Sequence, residues 1–136
     1  MIGGDVEGSG RSNNVWEGTL ESKNKITWEP MSPMQKKRYR HFSIVVDDNI
    51  YVFGGNDIDN DVVEVYDGRE WKLGPEFSFS LSTENAQAVV DRKKRIIVTT
   101  NNYGIVIYDP IQGTITSHEN HKLREERKWG YVALLQ

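Results

Sequence analysis

The sequence predicts an all-β chain of four-stranded antiparallel sheets set one after another. Composition, an internal repeat and the placement of turn residues each point that way. Twelve Gly, six Tyr and four Trp stand against three Met in 136 residues, and the β-branched and aromatic residues suit strands joined by turns rather than extended helices. A chain of this length is the size of one ordinary domain, able to bury roughly two-thirds of its unfolded surface.

The repeat emerges when the chain is laid on itself. Ile50-Tyr51-Val52-Phe53-Gly54-Gly55 falls on Arg95-Ile96-Ile97-Val98-Thr99-Thr100 at an offset of 45, and Ile2-Gly3-Gly4 falls on Phe53-Gly54-Gly55 at 51. Val63-Glu64-Val65-Tyr66-Asp67 maps to Ile105-Val106-Ile107-Tyr108-Asp109 at 42, Trp28 to Trp71 at 43, and Val45-Val46 to Val89-Val90 at 44. Drifting offsets of this size describe a diverged repeat of one supersecondary unit.

The clearest unit reads as a meander. Residues 41–46 form a strand, Asp47-Asp48-Asn49 a tight connection, and residues 50–53 a second strand ended by Gly54-Gly55. Residues 56–61 make an acidic loop and residues 62–66 a third strand. Asp67-Gly68 then turns the chain into a short fourth strand around Trp71-Lys72-Leu73. One such sheet has two faces to cover and cannot cover both alone, so neighbouring sheets must stack against it.

These residues carry a family resemblance. A Gly-Gly pair after an apolar strand, then a Tyr, then a Trp a few residues later, resembles the kelch repeat. The middle unit matches through Arg40-His41, Gly54, Gly55, Tyr66 and Trp71. The next keeps Tyr108 but has Thr99-Thr100 for the glycines and no Trp at Thr114 or Ile115. The front keeps Gly3, Gly4 and Trp28, with Trp16 near the Tyr position. The resemblance implies a kelch-type β-propeller segment with an incomplete ring. Residues 1–37 would form a partial blade, 38–73 a blade and 84–117 a degenerate blade, with 127–136 the first strand of a further or closing blade. Propellers have about four to eight blades. The chain is therefore expected to be a fragment of a longer protein, a homodimer completing a six-bladed ring, or a monomer with open edges.

Composition and motifs narrow the chemistry. Seventeen basic against twenty acidic residues give a net charge of −3, so neither a nucleic acid nor a membrane surface is an expected partner. The absence of Cys excludes disulfides, thiolate metal sites and cysteine nucleophiles, along with the Tyr–Cys crosslink of kelch-like copper oxidases. No apolar stretch is long enough for a membrane span, and the N-terminus lacks a signal peptide's basic and apolar regions, so a cytoplasmic or nuclear location is expected. Asp57-Ile58-Asp59-Asn60-Asp61 starts like a calcium loop but fails at Val62 and Gly68. His118 and His121 have no evident third ligand, and His41 is read as a strand-entry residue. The Gly-rich residues 3–10 lack the Lys and helix of a phosphate cradle. No catalytic set, metal or cofactor is expected.

The resemblance also implies where a partner would sit, on the loops between second and third strands and on those between blades. It points to Asn56, Asp57, Asp59, Asp61, Asn101, Asn102 and Tyr103 on the first kind of loop, and to Arg38, Arg40, Phe77, Ser78, Phe79 and Ser80 on the second. Arg38 and Arg40, with Asn102, would offer forked donors to an acidic partner peptide. Phe77 and Phe79 alternate with serines and would either anchor a partner or bury one face under the loop. The expected function is a non-catalytic protein-interaction module, similar to substrate-recognition subunits of ubiquitin ligases or cytoskeletal scaffolds. The alternative is a sugar or small-molecule binding propeller with isomerase-type activity.

Overall fold

The structure is a computed structural model that describes residues 1–8, 10–55, 62–77, 86–100 and 104–118. Their regular elements are all strands: β1 (Ile2–Val6), β2 (Gly10–Ser22), β3 (Lys25–Met31), β4 (Phe42–Val46), β5 (Asn49–Phe53), β6 (Val62–Tyr66), β7 (Trp71–Glu76), β8 (Gln87–Val90), β9 (Ile96–Thr100), β10 (Gly104–Asp109) and β11 (Thr114–His118). They form three antiparallel sheets in simple meander order: β1-β2-β3, β4-β5-β6-β7 and β8-β9-β10-β11. The residues proposed for a closing strand, 127–136, lie outside the described residues.

Local chemistry sets the turns of the middle sheet. Asp47 and Asp48 both take positive φ, 47° and 66°, between the paired residues Val46 and Asn49. This is the two-residue connection whose twist matches flanking strands, and Asp tolerates it better than most residues. Between β6 and β7, Asp67 Oδ1 accepts the amides of Arg69 and Glu70, each at 3.0 Å. Asp109 repeats the device in the third sheet, taking the amides of Ile111 at 2.9 Å and Gln112 at 3.1 Å. The repeat seen in the sequence thus returns as the same side chain closing the same turn.

Alternation along the strands gives the middle sheet two apolar faces, and each is covered. On one, Tyr51, Phe53 and Val63 pack with Ile96, Val98, Val106 and Tyr108 of the third sheet. On the other, Val52 and Trp71 pack with Val15 of the first sheet and Met34 of the connection between sheets. Phe53 is central: its ring stacks on Phe42 at 5.0 Å and meets Tyr108 edge-on at 5.8 Å. A sheet between two others is the arrangement that a unit with two apolar faces requires.

The pairing corrects the sequence alignment. Ile50 lies opposite Tyr66 and Ile96 opposite Tyr108, so the second strands correspond at an offset of 46 rather than 45, and Val45 corresponds to Val90 rather than Val89. Gly54 therefore corresponds to Thr100. The cause is the connection: two residues suffice between β4 and β5, whereas residues 91–95 separate β8 from β9. A one-residue slip exchanges the two faces of a strand, so packing decides the register.

The first sheet departs further from the repeat. Its β2–β3 hairpin is long, and Trp28 lies opposite Gly18 while Trp16 lies opposite Pro30. Trp71, opposite Tyr66, is 6% exposed; Trp28 is 52% exposed. The two tryptophans match in sequence position and differ in burial because the hairpin carrying Trp28 has no covering element among the described residues.

Candidate partner-binding face

The connection of residues 32–41 from the first sheet to the middle one is held by its backbone. Met34 N donates to Asn13 O at 2.9 Å, Arg38 N to Ser12 O at 3.0 Å, and Gly4 N to Arg38 O at 2.9 Å. Trp71 Nε1 donates to Ser32 O at 2.8 Å. Gly3 makes the close approach to this connection. At φ 56°, a Cβ on it would stand 2.8 Å from both Arg38 O and His41 Cε1, so glycine is required for space as well as for conformation.

The side chain at the centre of the connection is Arg38, and it is a correction to the sequence expectation. Read as an exposed donor for a partner, Arg38 is fully buried. Its Nε donates to Glu64 Oε1 at 3.1 Å, and its two terminal nitrogens donate to Gly54 O and Val62 O, each at 2.7 Å. Glu64, equally buried, also accepts the amides of Gln35 at 2.7 Å and Lys36 at 3.0 Å. Burial lowers the Arg38 pKa, and the Glu64 carboxylate opposes that shift. The pair has a physical logic: a carboxylate inside β6 must be met by a cation and by amides, and the forked guanidinium also satisfies two strand-end carbonyls. The overlooked signal is Glu64, a lone carboxylate in the otherwise apolar run Val62-Val63-Glu64-Val65.

Phe77 is likewise corrected from a partner anchor to a core residue, 5% exposed, with its ring 6.2 Å from Phe53. It follows β7 on the face that meets the third sheet, where its area is worth more buried than presented. Asn56, Asp57, Asp59, Asp61, Ser78, Phe79, Ser80, Asn101, Asn102 and Tyr103 lie outside the described residues.

Arg40 is exposed, and the surface around it contains residues not singled out in the sequence. Its φ of 54° turns the chain sharply after Tyr39. The Arg40 guanidinium then lies 5.7 Å from the centre of the Tyr39 ring, and Arg11 of β2 reaches the same ring at 5.8 Å. Two guanidiniums thus share one phenol ring at cation–π distance. Arg11 is brought in by the pairing of Ser12 with Arg38, a relation invisible in sequence spacing.

His41 sits at the same junction. Its Nδ1 is buried without a hydrogen-bond partner, and its pKa is lowered first by burial and then by the charge of Arg38, against a hydrogen bond to the Ile2 backbone. Among the described residues there is no group of three or more His, Cys, Asp or Glu able to hold a metal ion, and no helix long and apolar enough to cross a membrane.

Four-stranded antiparallel meanders stacked face to face, each with an aromatic residue on its third strand and an Asp-capped turn after it, define an all-β repeat of the blade type. Residues 37–78 match the family described as Kelch motif, so the middle sheet is the matched repeat. No curated protein matches the chain.

Proposed function

We propose that this chain is a protein-interaction module that takes an acidic peptide segment on the platform of Arg11, Tyr39 and Arg40. The observation that carries the proposal is that two exposed arginines both bring their guanidiniums within 6 Å of the centre of one Tyr ring. Forked donors on an aromatic plane suit carboxylates through bidentate hydrogen bonds and a flat apolar contact. The kelch match supports an interaction role, since a rigid sheet that positions connecting loops is a scaffold for binding.

Fluorescence anisotropy with a labelled Glu-rich peptide tests the reading. The double variant R11A/R40A is expected to weaken binding by about 1–3 kcal/mol, while K23A/K25A, in the hairpin turn of the first sheet, leaves it unchanged. Equal loss in both variants would reduce the interaction to net charge and reject the platform.

A further inference from the structure

One dipeptide in the chain is chemically labile, and the fold places a cation on it. Asp67-Gly68 is the single place where Asp or Asn is followed by Gly. In such a pair the glycine sets no side chain beside its own backbone nitrogen, which can therefore reach the preceding side-chain carbonyl carbon and close a five-membered ring. Asp67 and Gly68 lie in the exposed connection between β6 and β7. Gly68 has φ 88°, and a Cβ on it would meet nothing within 4 Å. Asp109 fills the same place in the third sheet but is followed by Pro110, whose nitrogen carries no hydrogen to lose.

The ring closes through the protonated carboxyl. The Gly68 nitrogen bonds to Asp67 Cγ and releases its proton, which the departing carboxyl hydroxyl takes up to leave as water. A second water then opens the succinimide. Attack at Cγ restores aspartate, and attack at the main-chain carbonyl carbon leaves the chain running through the side chain as isoaspartate. One water leaves and one enters, and nothing is oxidised. In the folded protein both carboxylate oxygens are held against this step. Oδ1 accepts the Arg69 and Glu70 amides, each at 3.0 Å, and Oδ2 accepts Lys72 Nζ at 2.6 Å. The Lys72 side chain, and after it those amides, hold the carboxyl well below the usual carboxylate range, so the protonated form that reacts is scarcer than in the unfolded chain.

We infer that Asp67-Gly68 is the spontaneous modification site of this chain, and that Lys72 is the residue that holds its isomerisation back in the folded protein. The substrate is the chain itself and the co-reactant is water. Isoaspartate puts an extra backbone carbon between residues 67 and 68 and takes the carboxylate away from the position where it accepts the two turn amides. Lys72 therefore preserves over time the turn that its charge also helps to close.

Prolonged incubation of the 136-residue chain at neutral pH, followed by proteolysis and electron-transfer fragmentation, locates and counts isoaspartate. It is expected at residue 67 before any other aspartate, and more slowly than in a synthetic peptide of residues 63–73. Lys72→Met is expected to isomerise about two- to fivefold faster than the wild type, the range an exposed ion pair supports, with unchanged circular dichroism. Lys72→Arg, which keeps the cation, is expected to keep the wild-type rate. So is Lys25→Met, which breaks the Lys25–Glu21 pair of the β2–β3 hairpin. If K72M loses its circular dichroism, Lys72→Gln takes its place. First modification at another aspartate, a folded chain that isomerises as fast as the peptide, or a cation-free Lys72 variant no faster than the wild type would each overturn the inference.

Discussion

Arg38 and Glu64 form an ion pair at 3.1 Å with neither side chain exposed to solvent. The arginine comes from the connection between two sheets and the glutamate from the third strand of the second, so the pair ties the path of the connection to the body of the middle sheet. Two carbonyls and two amides complete its coordination, as desolvated charges of this kind require.

Removing one partner should therefore cost more than removing both. Arg38→Met leaves a buried carboxylate without its cation and is expected to destabilise the fold by about 3–5 kcal/mol. The double variant R38M/E64M is expected to be the more stable of the two in urea unfolding. A fully additive double-mutant cycle would contradict the coupling.

His41 gives the fold a pH dependence of definite sign. Its pKa is lowered in the folded state, so the unfolded chain takes the proton more readily. The stability contributed is complete above an unfolded value of about 6.5 and is lost as pH falls toward the lower folded value. Urea midpoints at pH 7.5 and 5.5 are expected to differ more for the wild type than for His41→Gln. Asp67, whose pKa is lowered by the Lys72 side chain and then by its turn amides, and Asp91, where burial is outweighed by the Arg95 side chain and turn amides, act in a separate window beginning near pH 4.

Gly3 and Gly8 both take positive φ, 56° and 75°, but a Cβ on Gly8 would meet nothing within 4 Å. Gly8→Ala is expected to cost only the left-handed strain, about 1–2 kcal/mol. Gly3→Ala adds a collision with the Arg38 carbonyl and should lower the melting temperature further. Equal shifts would show that the connection yields easily.

Trp71 joins the middle sheet to the connection through its ring and its Nε1 bond to Ser32 O. Trp71→Ala is expected to destabilise by about 3–5 kcal/mol. Trp71→Phe, which keeps an aromatic ring and drops the hydrogen bond, is expected to lose about 1–3 kcal/mol. Thermal unfolding of the two variants side by side checks the order.

The sheets and most of their turns were legible because their causes are local. Alternation marks strands wherever one face is buried, and Asp47-Asp48, Asp67 and Asp109 act within two or three residues of themselves. Partner residues were less legible. Arg38 and Arg40 are two positions apart in one basic run, yet one is inside the protein and the other outside, because the carboxylate that draws Arg38 inward lies on β6, a strand remote in sequence.

By itself the sequence determined an all-β chain, a repeat of blade-like units and a middle unit with a kelch signature, since periodicity, turn chemistry and Gly-Gly placement are short-range properties. Tertiary structure alone decided the one-residue register between repeats, the burial of Trp71 against the exposure of Trp28, and the meeting of Arg11 with Tyr39. Each depends on which face of a strand another element covers. Covering is a relation between segments far apart in the chain, and the free energy of burying a side chain is settled only where they meet.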